Sequence, residues 1–239
     1  MSLYRATGVV LRTIRLGEAD RIVTFCTRER GKVRAVAKGV RKTTSRFGAR
    51  LEPLSHVSLQ CYEGRNGLDT VTQVETVDAF RTVREDLDRM RRGLAMLEAV
   101  DNIVQEGEPS PRLYQMLVGA LAALDDSGSP LVLPAFFWKV LALEGVRPLL
   151  DQCASCGRAD DLVAFDLTQG GVLCRSCRQG IAVSPDALAL LRRTLGGDLA
   201  RVLREPSSPA TYELEHLADE SLEVHLERRL RSRRILDRA

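Results

Sequence analysis

The sequence predicts an α+β protein: a five-stranded barrel at the amino terminus, then a helical domain containing a small ribbon braced by four cysteines. Three patterns predict it. Residues 1–80 carry β-branched, partly alternating segments between turn signals. Residues 81–148 switch to apolar positions three and four apart. Two Cys-x-x-Cys pairs then stand at 153–156 and 174–177, with 17 residues between them. At 239 residues the chain exceeds one typical domain, and the expected modules are 1–80, 81–148, 149–183 and 184–239.

Ala6–Arg15 and Asp20–Thr27 read as strands, and Arg28-Glu29-Arg30-Gly31 as the turn into Lys32–Ala37, where charged and apolar residues alternate as on a half-buried strand. After a basic loop, Leu51–Tyr62 reads as one long strand. Glu63–Gly67 contains Asn66-Gly67, a hairpin signal, and Leu68–Glu75 closes the set. Five strands in so short a span fit a small closed barrel, of which the OB-fold is the commonest five-stranded type.

The helical part opens with a stripe of Leu87, Met90, Leu94, Leu97 and Val100, and a second runs from Leu113 to Leu124. Leu131–Leu143 is apolar almost all round, which predicts a buried helix with Trp138 in the core. Ser184-Pro185 supplies an N-cap and a first-turn proline for a helix ended by Gly196-Gly197. Residues 209–236 read as one amphipathic stretch ending in arginines, which suit the negative end of a helix or a second anion contact. These last helices, 184–239, are expected to pack on the helical domain.

Cys153, Cys156, Cys174 and Cys177 have the spacing of a zinc site. Four sulfur ligands close a tetrahedron and leave no position for water or substrate, so the expected metal is a single structural Zn2+. Disulfides and an iron–sulfur cluster are the alternatives. No apolar h-region follows Met1, and Cys26 and Cys61 stand alone in strands, which fits a reducing cytosol. No apolar run approaches the roughly 20 residues that span a bilayer. The expected location is the cytoplasm, in association with the nucleoid.

Charge points to the partner. Residues 1–50 hold 13 Lys and Arg against three acids, while the whole chain is only +3, so the other 189 residues carry −7. A basic end on a nearly balanced chain suggests a polyanion. Only four of the 35 basic residues are lysine, so codon preference accounts for the choice of arginine, but it does not account for the clustering. The segment Lys38–Arg50 has five cations (Lys38, Arg41, Lys42, Arg46, Arg50) and no acid. With Arg34 on the preceding strand, these are the candidate nucleic-acid contacts. Phe47 either stacks on a base or plugs the barrel. At 5% aromatic content no large stacking platform is expected, so binding should rest on phosphates, and about five of them on a single strand give a log–log salt slope near −3.5.

Catalytic readings fare poorly. His56, His216 and His225 form no recognisable group, and neither HExxH nor a phosphate-binding G-x-x-x-x-G-K-[ST] loop is present. Gly17–Asp20 reads as a turn into the second strand. Arg192, Arg193 and the C-terminal arginines are secondary candidates for a nucleic-acid contact.

The runs Gly17-Glu18-Ala19-Asp20-Arg21-Ile22-Val23, Thr27-Arg28-Glu29-Arg30-Gly31-Lys32, Val36-Ala37-Lys38-Gly39-Val40-Arg41 and Leu51-Glu52-Pro53-Leu54 resemble, in order, the RecO family of bacterial recombination mediators. The helices and the cysteine pairs extend the resemblance over most of the chain. It implies an N-terminal OB-fold, a helical domain and a zinc ribbon. It also implies ATP-independent binding and annealing of single- and double-stranded DNA. The partners it implies are RecR, single-stranded DNA-binding protein and, indirectly, RecA. Lys38 and Arg41 carry over as DNA contacts from the matched motif, whereas Lys42, Arg46 and Arg50 rest on charge. The competing class is an OB-fold and zinc-ribbon RNA-binding or transcription-associated factor.

Overall fold

The computed structural model describes residues 2–64 and 67–234, without the side chains of Arg233 and Arg234. Strands β1 (Leu3–Leu16), β2 (Asp20–Thr27), β3 (Gly31–Ala37), β4 (His56–Tyr62) and β5 (Asp69–Asp78) close a barrel in the order β1-β2-β3-β5-β4, with β3 and β5 parallel and the other pairs antiparallel. Alternation places Val33, Ala35 and Ala37 inside, with Lys32, Arg34 and Val36 on the outer face. Phe25, Leu59, Val71 and Phe47 fill the interior. Register shifts at Val10/Arg12 on β1 and along the β4–β5 pair bend the strands enough to close.

Two sequence expectations for the barrel change. Leu51–Tyr62 is not one strand. Residues Gly48–Leu51 form a 3-10 turn and β4 begins only at His56, because buried Leu54 takes a left-handed φ of 70°. Phe47 is 2% exposed inside the barrel, so it is a plug and not a stacking residue. Of the Asn66-Gly67 turn signal, Asn66 lies outside the described residues, and Gly67 takes a left-handed φ of 69°.

Helices α1 (Arg81–Glu85), α2 (Leu87–Ile103) and α3 (Pro111–Ser127) follow. The buried face of α2 is Gly93, Ala95, Met96, Leu97, Ala99 and Val100, rotated from the expected stripe, and Leu87 is 57% exposed. Small residues carry that face because the barrel packs closely there: a Cβ on Gly93 would lie 2.8 Å from the Leu54 side chain. The described residues up to 126 together with 230–234 make one compact unit, and 127–229 make the second.

The second unit holds α4 (Val132–Leu143), buried along most of its length with Trp138 1% exposed, as expected. A three-stranded sheet of β6 (Leu162–Asp166), β7 (Gly171–Cys174) and β8 (Ile181–Ala182), ordered β7-β6-β8, forms the ribbon. Then come α5 (Pro185–Gly196), whose first turn is capped by the Ser184 hydroxyl accepting from Ala187 N–H, α6 (Leu199–Val202) and α7 (Pro209–His225). The final stretch is not one helix to residue 236. The chain turns at Glu227 (φ 52°), Leu230 is buried, and α8 (Arg231–Arg234) belongs to the first unit, where Arg231 and Ser232 N–H donate to the Glu98 carboxylate. Residues 235 and 236 of the expected stretch lie outside the described residues.

Candidate nucleic-acid interface and metal centre

The β3–β4 loop is held at both ends. At its start, Gly39 N–H donates to the Asp20 carboxylate at 2.7 Å and Arg41 N–H to the Ala19 carbonyl at 2.9 Å. The Arg41 guanidinium donates to the Glu18 carbonyl at 2.8 Å. Asp20 therefore fastens the loop to the β1–β2 turn, a role its sequence context did not announce. Further along, Phe47 and Leu51 plug the barrel, and the Arg50 guanidinium donates to the Arg46 carbonyl at 3.0 Å. At the far end, Arg84 donates to the Pro53 carbonyl at 2.6 Å and the Ser55 hydroxyl at 2.9 Å. The Arg46 guanidinium carbon sits 4.9 Å from the Phe47 ring centroid.

Apart from the Asp20 carboxylate, which takes the Gly39 N–H, this anchoring uses neutral acceptors. Lys38, Arg41, Lys42, Arg46 and Arg50 are all exposed, and none of them forms an ion pair among the described residues. A carbonyl fixes a guanidinium without cancelling its charge, so the loop keeps its positive field. Elsewhere on the barrel unit, acids pair with five of the cations. Arg12 and Lys32 meet Asp101 at 2.6 and 3.4 Å, Arg21 meets Glu52 at 2.6 Å, and Arg30 meets Glu63 at 3.6 Å. Arg34 faces Glu106 at 3.6 Å, which sets it apart from the other five candidates. Arg15, missed in the sequence, is exposed on the β1–β2 hairpin opposite Arg21 and forms no ion pair among the described residues. Its spacing from Lys38 along the chain concealed it; strand register reveals it.

Two of the secondary candidates, Arg192 and Arg193, are occupied. Arg192 donates to the Leu150 carbonyl and approaches Asp151 at 3.4 Å; Arg193 pairs with Asp198 at 3.0 Å and with Glu205. His56 is no catalyst either: it is buried with its Nε2 2.6 Å from the Tyr114 hydroxyl, and burial pushes its pKa down.

In the ribbon the four cysteines converge. Their sulfurs all lie within 4.8 Å of one another, with Cys156 and Cys174 Sγ 3.7 Å apart. A disulfide requires about 2.05 Å. A tetrahedron with Zn–S bonds of about 2.3 Å requires sulfurs about 3.8 Å apart, which the observed separation matches. The first turn closes with Gly157 N–H donating to the Cys153 carbonyl at 2.9 Å, and Cys153 N–H donates to Arg158 at 2.7 Å. Cys174 ends β7, and the 3-10 turn Arg175–Cys177 brings Cys177 round. Backbone N–H groups of Cys174, Cys156 and Ser155 donate to Cys153 and pull its thiol down to about 6. The Cys177 thiol is pushed up to about 11, first by its hydrogen bond with Cys156. Four thiolates this close repel one another strongly, and a bound cation is what removes that repulsion. Behind them, Asp166 accepts from Thr168 N–H (2.8 Å), Gln169 N–H (2.9 Å) and the Gln179 amide (2.7 Å), pinning the β6–β7 turn. The donor set and its spacing fit a metal ion.

The comparisons with known proteins agree with this architecture. The model described as "Recombination protein O N terminal" matches residues 1–80, and "Recombination protein O C terminal" matches residues 84–234. A DNA repair protein RecO from Nocardioides sp. strain JS614 is 46% identical over 246 residues, covering 99% of this chain and 100% of its own length. No helix among the described residues is long and apolar enough to cross a membrane. On both family models and a full-length relative, the chain belongs to the RecO family of DNA repair proteins.

Proposed function

We propose that the chain is a recombination mediator whose β3–β4 loop holds DNA by its phosphates and brings complementary strands together. The carrying observation is that Lys38, Arg41, Lys42, Arg46 and Arg50 are exposed, form no ion pair among the described residues, and are concentrated in one loop fixed to the β1–β2 turn. Two strands repel through their phosphates. A surface holding both lowers that repulsion and raises their local concentration, and base pairing then supplies the free energy without ATP. Lys38 and Arg41 are the leading contacts, with Lys42 and Arg46 beside them. Arg50, partly turned to the Arg46 and Phe47 carbonyls, and Arg34, paired to Glu106, contribute less.

In this reading residues 1–80 are the DNA-binding module, 81–148 a helical domain, 149–183 a ribbon and 184–239 the closing helices. The metal is one structural Zn2+ held by Cys153, Cys156, Cys174 and Cys177: it supplies fold energy and no reactive position. The protein works in the cytoplasm with RecR on single strands coated by single-stranded DNA-binding protein, and so helps RecA to load. The test is annealing of complementary oligonucleotides coated with single-stranded DNA-binding protein, with and without this chain, with RNA competitors alongside DNA. Acceleration that is lost when Lys38, Arg41 and Lys42 are changed to Glu supports the proposal. Annealing that survives this change at physiological salt refutes it, and tighter competition by RNA favours the RNA-binding class.

A further inference from the structure

The four sulfurs of the ribbon share one point but not one environment. Cys153 and Cys174 are buried, at 1% and 0% exposure, Cys177 is intermediate, and Cys156 is exposed. Backbone holds the inner pair. Cys153 N–H donates to the Arg158 carbonyl at 2.7 Å and its own carbonyl accepts from Gly157 N–H at 2.9 Å, while Cys174 ends β7 opposite Leu162 on β6. Among the described residues nothing covers the outer side. Residues 155–161 are all exposed, and a Cβ built on Gly157, at φ 76°, would meet no atom within 4 Å.

A sulfur that is both a metal ligand and open to solvent is where an electrophilic oxidant meets the site. With an ion bound the sulfurs are thiolates, the form that attacks peroxides, whereas buried thiols such as Cys26 and Cys61 in the barrel are inert. Next to Cys156 lies Cys174, with 3.7 Å between the sulfurs.

We propose that Cys156 is a peroxide-reactive site and Cys174 its resolving partner, the two closing a disulfide that expels the metal ion. This rests on the reading of the four cysteines as a zinc site. In the first step the Cys156 thiolate attacks one peroxide oxygen. An S–O bond forms, the O–O bond breaks, and the departing hydroxide takes up a proton to become water, leaving a sulfenic acid. The Cys174 thiolate then attacks that sulfur. The S–S bond forms, the S–O bond breaks, and a second hydroxide is protonated to water, so two sulfurs have given two electrons to one peroxide. Cys153 and Cys177 alone remain as ligands, half of what a closed site needs. The sulfurs must approach from 3.7 Å to about 2.05 Å, and the exposed first turn is the part that moves, because strand pairing holds Cys174. The new bond joins the same two turns that the ion joined. The ribbon therefore stays tied, and a thiol reductant reverses the step.

The test uses the full-length protein, its metal content measured first by plasma mass spectrometry, then treated with hydrogen peroxide. A chromogenic chelator follows zinc release, and tryptic peptides prepared without reductant are mapped by tandem mass spectrometry. Trypsin separates residues 140–158, 159–175 and 176–178, so pairings of Cys153 or Cys156 with Cys174 and with Cys177 differ in mass. The expected result is release of about one Zn2+ per chain, a peptide 140–158 joined through Cys156 to 159–175, and recovery of zinc binding after dithiothreitol and added Zn2+. Cys156→Ser should lose the rapid release; where that variant does not fold, the wild-type map decides alone. Zinc retained under peroxide, a bridge confined to Cys153 and Cys156, a bridge to Cys177, or an oxidised Cys156 with no bridge overturns the proposal. Protein that carries no zinc before oxidant is added overturns the zinc reading instead, so the two ideas fail separately.

Discussion

Arg41 and Arg34 show how one residue type is used in two ways. Both lie in the basic amino-terminal stretch, yet Arg41 binds neutral carbonyls and keeps its charge, while Arg34 faces Glu106. Changing Arg41 to Ala should therefore weaken DNA binding clearly, and Arg34 to Ala much less, measured by fluorescence anisotropy at one fixed salt concentration. His56 makes a different kind of prediction. Burial lowers its folded-state pKa below the ordinary 6.5, so the unfolded chain takes up a proton first as pH falls. Stability is unaffected well above pH 6.5 and declines as pH drops through and below that value. Urea midpoints of the barrel unit at pH 7.5 and 5.5 should show that decline, and His56→Gln should flatten it.

At the scale of elements, the β2–β3 turn and the ribbon carry the sharpest tests. Gly31 has φ 67°, and a Cβ there would lie 2.4 Å from the Glu108 carbonyl and 2.6 Å from that of Gln105. Gly31→Ala should cost about 2–4 kcal/mol in denaturant unfolding. Metal removal by a chelator should expose the ribbon amides of Cys153, Ala154 and Val172 to hydrogen exchange while those of Val10 and Leu54 in the barrel stay protected. Much of this was legible in advance. Asp20–Thr27 is a strand within the bounds its composition gives, Ser184 caps α5, and the cysteine spacing named all four sulfurs that converge. Strands and caps are local, so local residues announce them. The loop after β3 was not legible beyond its charge. Its course depends on Phe47 entering the barrel, on the left-handed Leu54, and on Arg84 reaching back across 31 residues to Pro53. The apolar stripe of α2 was misplaced for a related reason: small residues face the barrel, and hydropathy alone gives them little weight.

For the whole molecule, the basic amino-terminal half is sorted rather than uniformly spread. Acids at Glu52, Glu63, Asp101 and Glu106 pair with Arg12, Arg21, Arg30, Lys32 and Arg34, while the cations of Lys38–Arg50 form no ion pair among the described residues. A net charge of +3 hides this arrangement completely. Because the loop is anchored before any ligand arrives, little ordering should accompany binding, and phosphate neutralisation should dominate the affinity. The direct measurement is the salt dependence of single-strand affinity for wild type and for the Lys38→Ala/Arg41→Ala/Lys42→Ala variant. Wild type should show a log–log slope of about −3.5 and the variant about −1.4, three fewer phosphates being met. Equal slopes for the two proteins would place the DNA elsewhere and contradict the central claim.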